Sequence, residues 1–282
     1  RVLFRSKTFL LDWMQVYMEA QESAGKKDGS QIKIAMRILK DYAGEMVTLD
    51  QIDGDFCRGY ITYLLTEYHP KGKDISNYTL HNYYRALNGA LNSAVRKKKM
   101  KANPFNELEK SEKIRKPESM RSYMTIEEVQ ALIDTPMPHE EYEIVKCAYL
   151  FSCFCGLRIS DIIKLKWNDV FVDRGQYRLA VSMKKTKEPI YLPLSPEALK
   201  WMPERGGKSS EDNVFDLPSA NTIRMQLKPW AKAAGISKRF SYHTSRHTFA
   251  TMMLTLGADL YTVSKLLGHA DVKMTQRSEE RR

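Results

Sequence analysis

The stretch that most constrains the fold is SYHTSRHTFAT, residues 241–251. His243 and Arg246 are three residues apart, so on a helix they share one face. The N-terminus of a helix favours anions, and an arginine close to it strengthens a site for phosphate. The stretch therefore predicts a helix over residues 243–256 whose first turns bind an anion. The alternative is a capped helix start with incidental polar side chains.

Three further polar stretches accompany it. CGLRISDIIKLKWNDV (residues 155–170) places Arg158 between the end of one apolar helix and the start of another. SMKKTKEPIYLPL (182–194) puts three lysines at the tip of a predicted hairpin, and LLGHADVKMTQ (266–276) puts His269 just behind an apolar helix. Taken alone, each has an ordinary explanation: a surface arginine, a solvated turn and a helix-capping histidine.

The composition is that of a basic globular chain. Its 282 residues suffice for about two domains. The 45 Lys and Arg exceed the 34 Asp and Glu, and the net charge of +11 favours nucleic acid or an anionic membrane, although a merely basic protein would share it. No apolar run reaches the roughly 18 residues of a membrane span, so no membrane partner is expected. The four sparse cysteines favour buried thiols in a reducing cytoplasm over disulfides or zinc, so no metal is expected either.

Residues 1–103 read as a bundle of four helices. Apolar residues recur at helical spacing over residues 6–20, 32–42, 56–68 and 76–99. Residues 104–122 follow as a basic linker that contains Pro104 and Pro117. It is either a plain solvated linker or a strap along phosphates, and the basic run RKKKMK at residues 96–101 favours the strap.

Residues 123–276 mix helices with strands. Thr125 and Glu128 form a capping box, and a helix over 140–155 ends at Gly156. Alternation over 177–184, a polar turn and the run 190–194 predict a hairpin or small antiparallel sheet. Helices return after Ser195-Pro196 and over residues 220–234, 243–256 and 259–267. The predicted fold class is mainly α with a small antiparallel β-sheet: a four-helix domain followed by a mixed α+β domain.

Taken in this order, the four stretches resemble the tyrosine recombinase (phage integrase) family. The sequences GLRISD, HTSRHTFAT and LLGH are close to the usual motifs of that family. The catalytic domain of that family carries an Arg, a hairpin Lys, His-x-x-Arg, a His or Trp, and a nucleophilic Tyr. The resemblance assigns the first five positions to Arg158, Lys185, His243, Arg246 and His269. It assigns the acidic residue, often Glu in the family, to Asp161. Lys184 and Lys187 are alternatives to Lys185, because hairpin registers shift.

The resemblance implies metal-independent DNA strand cleavage and rejoining through a 3′-phosphotyrosyl link, with no cofactor. Two guanidiniums can clamp the non-bridging phosphate oxygens with paired hydrogen bonds. His243 would act as general base or orienting partner, Lys185 would protonate the 5′-oxygen, and His269 would bind the scissile phosphate. Asp161 would buttress the site from behind.

The resemblance also implies an architecture and partners. Residues 1–103 would be a SAM-like core-binding domain, 104–122 the linker and 123–276 the catalytic domain of a clamp around double-stranded DNA. An intact family member forms a homotetramer in synapsis, whereas this chain alone is compatible with a monomer. The expected setting is the bacterial cytoplasm at the nucleoid, or a phage or mobile element. The expected DNA contacts, mostly to phosphates, are Lys33, Arg37, Lys40, Arg85, Lys97, Lys98, Lys99 and Lys101.

The nucleophile is missing from its expected place. The family spacing from His269 puts the Tyr at position 278, where this sequence has Ser278. Tyr261 lies in the apolar helix before LLGH and is interpreted as a packing residue. Because the chain opens without Met and ends RSEERR, we expect a fragment with a non-native tail at 277–282 that binds DNA without cutting it. The alternatives are a deliberately inactivated variant, a naturally inactive regulator, and, further off, a metal-dependent nuclease or helix-turn-helix regulator.

Overall fold

The computed structural model describes residues 8–118, 122–182, 189–268, 272 and 275–276. They belong to two compact units, which divide between residues 119 and 120. The predicted fold class is confirmed, because α-helices dominate both units and the described strands form a small antiparallel sheet. Within these ranges no helix is both long and apolar enough to cross a membrane.

The first unit is built on four α-helices. They are α1 (Leu10–Ser23), α2 (Gly29–Ala43), α3 (Gly54–Thr66) and α4 (Asn77–Arg96). Each amphipathic helix turns its apolar face inward, so that Met14, Ile38 and Leu87 are fully buried. The Trp13 indole N–H donates to the Ala90 carbonyl oxygen at 2.8 Å, which ties α1 to α4.

Residues 104–118 pack on this unit and differ in that respect from the linker that the sequence predicts. Phe105, Leu108 and Ile114 belong to the core of the first unit. The Arg58 guanidinium binds the Glu112 carboxylate at 2.8 Å. A few buried apolar side chains are enough to anchor a strongly charged segment on the helices, although the overall charge of the segment suggests an exposed linker.

The described part of the second unit contains seven further α-helices and one sheet. The helices are α5 (Ile126–Asp134), α6 (Glu143–Cys155), α7 (Ile159–Ile162), α8 (Pro196–Lys200), α9 (Ala220–Ala233), α10 (Tyr242–Thr255) and α11 (Leu260–Leu266). The predicted capping box is present at the start of α5, because the Thr125 N–H donates to the Glu128 carboxylate at 2.7 Å and the Glu128 N–H to Thr125 Oγ1 at 3.3 Å.

The sheet has the strand order β1-β2-β3 and is antiparallel throughout. Its strands are β1 (Val170–Asp173), β2 (Gln176–Ser182) and β3 (Pro189–Pro193). Leu179 pairs with Val170 on one side and with Leu192 on the other, and Leu179 and Leu192 are buried. The sequence indicated β2 and β3, whereas β1 is too short to show a clear alternation.

Helix α6 is the centre of the second unit because it is apolar on all sides. Tyr149 and Leu150 belong to a core shared with α5 and α9, while Phe151 and Cys155 belong to the core beneath the sheet. All four cysteines are free thiols, and Cys57, Cys153 and Cys155 are buried. The C-terminus of α6 is thereby fixed from two sides, and the candidate site begins there.

Candidate active site

Gly156 ends α6 and brings three elements together. Its φ of +73° lies in the left-handed region, which glycine adopts without strain. A Cβ atom at this position would lie 2.6 Å from Phe249 Cδ1 on α10 and 3.1 Å from Leu267 Cδ2 after α11. Only glycine therefore allows this close approach, which brings the chain from α6 up against α10 before it reaches Arg158.

Arg246 is the buried polar centre of the site. It lies on α10 with 3% of its surface exposed. Its Nη1 donates to the Gly156 carbonyl oxygen at 2.7 Å, and its Nη2 donates to the Leu267 carbonyl oxygen. A guanidinium has five N–H donors, so two backbone bonds fix the orientation of the fork without exhausting it. Residues 156, 246 and 267 meet here although they are far apart in the sequence.

The electrostatics of this region favour an incoming anion. The pKa of Arg246 is lowered from 12.5 to about 9, first by burial and then by the positive charge of Arg158, while the charge of Asp161 opposes both effects. Arg246 therefore remains charged at neutral pH, but its charge is poorly solvated and has a second guanidinium nearby. A phosphate that accepts hydrogen bonds from both arginines would relieve that cost.

Arg158 and Asp161 are brought close to Arg246 by the short helix α7. Arg158 is its half-buried N-cap residue. Asp161 Oδ1 accepts a bond from Ser160 Oγ at 3.2 Å, whereas Oδ2 is buried and has no hydrogen-bond partner among the described residues. A cavity of about 260 Å³ lies beside it, lined partly by Lys164 and Asp169. Asp161 is thus close enough to Arg246 for its charge to counteract the fall in the pKa of that arginine.

His243 is exposed in the first turn of α10, one turn before Arg246. The preceding Tyr242 anchors that turn, since its buried hydroxyl donates to the Ala148 carbonyl oxygen on α6 at 2.6 Å. The His243 ring contacts the His247 ring edge to face, with 4.7 Å between centroids. Sequence reasoning missed His247, although its spacing of four residues from His243 was a usable signal.

The remaining predicted active-site residues lie outside the described residues. They are Lys185, its alternatives Lys184 and Lys187, His269 and the substituted position Ser278. Strand β2 ends at Ser182 and β3 begins at Pro189, so the three lysines fall between two paired strands, as the hairpin prediction requires. Their assignments stay predictions.

The predicted DNA contacts of the first unit are all exposed. Lys33, Arg37 and Lys40 lie on one face of α2, opposite its buried apolar face. Some are paired within the unit: Lys40 with Glu45, Arg85 with Asp28 at 3.3 Å, and Lys97 with the Trp13 ring at 5.8 Å. Lys97, Lys98, Lys99 and Lys101 follow the end of α4 rather than extending it.

A second basic stripe, on α9, was not predicted. Arg224, Lys228 and Lys232 are spaced four residues apart and are all exposed, while Ile223, Leu227 and Trp230 are buried on the opposite face. The spacing of four residues in the sequence is the signal that indicates this stripe. Among the described residues, no group of three or more His, Cys, Asp or Glu side chains is placed to hold a metal ion.

Comparison with known families decides the classification. A model described as the phage integrase family matches residues 122–278, and one described as the phage integrase SAM-like domain matches residues 9–116. The chain belongs to the phage integrase family. The resemblance drawn from GLRISD, HTSRHTFAT and LLGH is thus confirmed.

Curated relatives are tyrosine recombinases. Tyrosine recombinase XerD of Vibrio vulnificus is 33% identical over 175 residues, which are 57% of this chain and 56% of that protein. Tyrosine recombinase XerC of Pelobacter propionicus is 28% identical over 244 residues, which are 83% of this chain and 76% of that protein. The chain thus spans little more than half of the length of the XerD protein.

Solved structures of the family share the fold. The Tn1549 transposon integrase in complex with circular intermediate DNA has a TM-score of 0.75 at 16% identity and covers 96% of this chain and 94% of its own. A lambda integrase tetramer bound to a Holliday junction has a TM-score of 0.71 at 20% identity, with 97% and 78% covered. At these identities the likeness establishes the fold.

Proposed function

We propose that this chain is the core-binding and catalytic part of a site-specific DNA recombinase or integrase. The observation that carries the proposal is the Arg246 guanidinium, which is buried and bonded to the carbonyl of Gly156, two residues before Arg158. His243 lies one turn earlier on the same helix. In the proposed site these two arginines and the histidine bind one phosphodiester, as strand transfer without a metal requires.

In the proposed reaction a tyrosine oxygen attacks the phosphorus, its bond to phosphorus forms, and the bond to the 5′-oxygen breaks. Arg158 and Arg246 stabilise the charge that develops on the non-bridging oxygens. His243 accepts or orients the tyrosine proton, Lys185 protonates the departing 5′-oxygen, and His269 holds the phosphate. The 3′-phosphotyrosyl link conserves the bond energy, so the reverse attack rejoins a strand.

Ser278 stands where this reaction needs the tyrosine, so we propose that the chain as it stands binds DNA without cutting it. A serine alkoxide is a much poorer leaving group than a phenolate with a pKa of about 10, so serine would not support rejoining. The second candidate, which the same position favours, is a naturally inactive relative that occupies recombination sites and regulates.

The proposed partner is double-stranded DNA, bound by both units. Support comes from the exposed basic faces of α2 and α9 and from the relatives that were solved on DNA. We further propose a tetramer during synapsis, as in the lambda integrase assembly, with this chain monomeric in the absence of DNA. The setting would be bacterial DNA or a mobile element in the cytoplasm.

The test has two stages. Duplexes are first selected from a random pool by their binding to the chain. The selected duplex, nicked so that cleavage is irreversible, is then offered to the chain and to Ser278→Tyr. We expect no covalent protein–DNA adduct with Ser278 and an adduct with Ser278→Tyr that survives metal chelation and is lost in Arg246→Ala. An adduct at Ser278 or Tyr261, or cleavage that requires magnesium, would contradict the proposal.

The encoding DNA distinguishes an inactive regulator from a recombinase. If the genomic reading frame itself encodes residues 277–282 as they stand, and Ser278→Tyr forms no adduct on the selected duplex, an inactive regulator replaces the recombinase as the better assignment. If the frame encodes a tyrosine at position 278, the recombinase is supported.

A further inference from the structure

The chain that leaves α4 forms a short turn, fixed at both ends. We call residues 97–102 the lysine turn, because four of its six residues are lysines. At its first end, the Lys98 N–H donates to the Val95 carbonyl oxygen at 3.0 Å and the Lys99 N–H to the Ala94 carbonyl oxygen at 2.9 Å. These are the two bonds of a Schellman helix C-cap, which satisfy carbonyls that would otherwise have no partner.

The first end uses an unfavourable residue. A Schellman cap needs a left-handed residue, usually glycine, and Lys98 occupies that position with a φ of +57°. A side chain there costs about 1 kcal/mol or more relative to glycine. Such an outlier in an exposed turn is a reason to look for a function of the lysine side chain.

The second end is held by Asn103, which is 2% exposed. Its amide nitrogen donates to Asn88 Oδ1 at 2.7 Å and to Asn92 Oδ1 at 2.9 Å, both on α4. Its Oδ1 accepts from the Phe105 backbone N–H at 3.0 Å, and because that group can only donate, the orientation of the amide is settled. One side chain thus joins the end of the turn to two successive turns of α4.

Between these ends, Met100 packs on the core of the first unit. The Lys97 ammonium lies over the Trp13 ring. That leaves Lys98, Lys99 and Lys101 exposed, and none of them forms an ion pair within the described residues. These three lysines lie within four residues of one another, so their like charges repel, and the fixed backbone holds the three positions close together despite that repulsion.

We propose that Asn103 is a positioning residue for DNA phosphate: it holds the lysine turn in a shape that presents Lys98, Lys99 and Lys101 together to one backbone segment. The inference rests on the proposed function and goes beyond it by assigning a buried, uncharged residue to DNA affinity. Charges that are already assembled lose less conformational freedom on binding than lysines of a free loop. The repulsion between them is relieved when phosphates bind.

The test is a double-mutant cycle on the full chain, read by the anisotropy of a fluorescent duplex. Asn103→Ala is made alone and together with Lys98→Gln, Lys99→Gln and Lys101→Gln. We expect Asn103→Ala alone to weaken DNA binding about tenfold and to flatten its dependence on salt, where each lost phosphate contact lowers the slope by about 0.9. With the three lysines already replaced, the same change should weaken binding less than about twofold.

The matched control is Asn106→Ala, which removes an exposed asparagine three residues away. It should leave binding unchanged. An equal loss from Asn103→Ala in both backgrounds would mean a general loss of structure and would overturn the inference. Unchanged DNA binding in Asn103→Ala would also overturn the inference. If the unmodified chain binds no DNA at all, the proposed function fails as well, so the two failures are distinguishable.

Lys98→Gly keeps the test valid if Asn103→Ala does not fold. Glycine relieves the left-handed strain, so the melting temperature should stay or rise while DNA binding weakens to the level of Lys98→Gln. A Lys98→Gly chain that binds DNA like the unmodified chain would overturn the role of Lys98 in the turn.

Discussion

At the scale of single residues, Gly156 is where the backbone allows the close packing around the candidate active site. Gly156→Ala combines left-handed strain of about 1 kcal/mol with a clash against Phe249 and Leu267 that adds about 1–3 kcal/mol. Relief of the clash would also move the carbonyl that Arg246 binds. We expect a clear drop in the free energy of unfolding, measured by denaturant titration.

Gly235 offers the matched control. It has a similar φ of +75°, but a Cβ atom there would meet nothing within 4 Å. Gly235→Ala should therefore cost only the strain of about 1 kcal/mol. Equal losses from the two substitutions would show that the close approach at Gly156 is not under steric constraint.

Cys57 gives a prediction for pH. Burial raises the pKa of the Cys57 thiol to about 12, whereas an unfolded thiol ionises near 9. Between these values the unfolded chain releases a proton that the folded chain keeps, so the free energy of unfolding falls as pH rises, by up to about 1.4 kcal/mol per pH unit for this group. Cys57→Ala should lessen that fall by the same amount. An unchanged slope of stability against pH would contradict the buried, protonated thiol.

At this scale the sequence predicted the positions of residues on helices better than the contacts of their side chains. The spacing in HTSRH placed His243 and Arg246 on one helix, and the Gly after an apolar run predicted the end of α6. The bond from Arg246 to the Leu267 carbonyl could not be predicted, because it depends on how α10 and α11 pack. His247 differs, because its spacing of four residues from His243 indicates a shared helix face, although only the structure shows the edge-to-face contact of the two rings.

At the scale of elements, amphipathic helices were predictable and weakly patterned segments were not. The periodicity of α2 and α4 is strong enough to locate them to within a few residues. Strand β1 spans four residues at the sheet edge, which is too short for a pattern. Residues 104–118 were interpreted from their charge, although three apolar side chains decide where they pack.

Phe105→Ala tests that packing. The Phe105 ring is 1% exposed and contacts the Tyr84 ring edge to face at 5.0 Å. Its removal from a core should cost about 3–5 kcal/mol, measured as a lower unfolding midpoint of the first unit. Asn106→Ala, one residue along and exposed, should change little. If both variants melt like the unmodified chain, residues 104–118 form a linker as the charge pattern suggested.

Thr248→Val tests the attachment of α5 to α10 within the second unit. The fully buried Thr248 hydroxyl accepts from the Met124 backbone N–H at 2.9 Å, just before α5 begins. Valine keeps the shape but leaves that donor without a partner, which costs about 1–3 kcal/mol. Hydrogen exchange at Met124 should speed up in the variant. Unchanged protection there would contradict this attachment.

At the scale of the whole molecule, excess charge and family membership point to the same partner. The net charge of +11 is compatible with any polyanion as partner. Only the order of the arginines and histidines in the sequence narrows the choice of partner to DNA. The basic faces are distributed over both units, on α2 in the first and on α9 in the second. If the chain uses both faces on one duplex, its affinity for DNA should fall steeply as the salt concentration rises, because each neutralised phosphate releases counterions.

The contribution of each unit to the salt dependence of DNA binding can be measured separately. Replacing Lys33 and Arg37 by Gln in the first unit, or Arg224, Lys228 and Lys232 by Gln in the second, should each flatten the slope of log affinity against log salt by about 0.9 per lost phosphate contact. In the combined variant the slope should flatten by the sum of the two separate changes, because the two sites are independent. Lys166, Lys200 and Lys208 are the control, since each is paired with a carboxylate, and their replacement should leave the slope unchanged. If only one unit affects the slope, binding by both units is wrong, and the +11 charge acts through a single face.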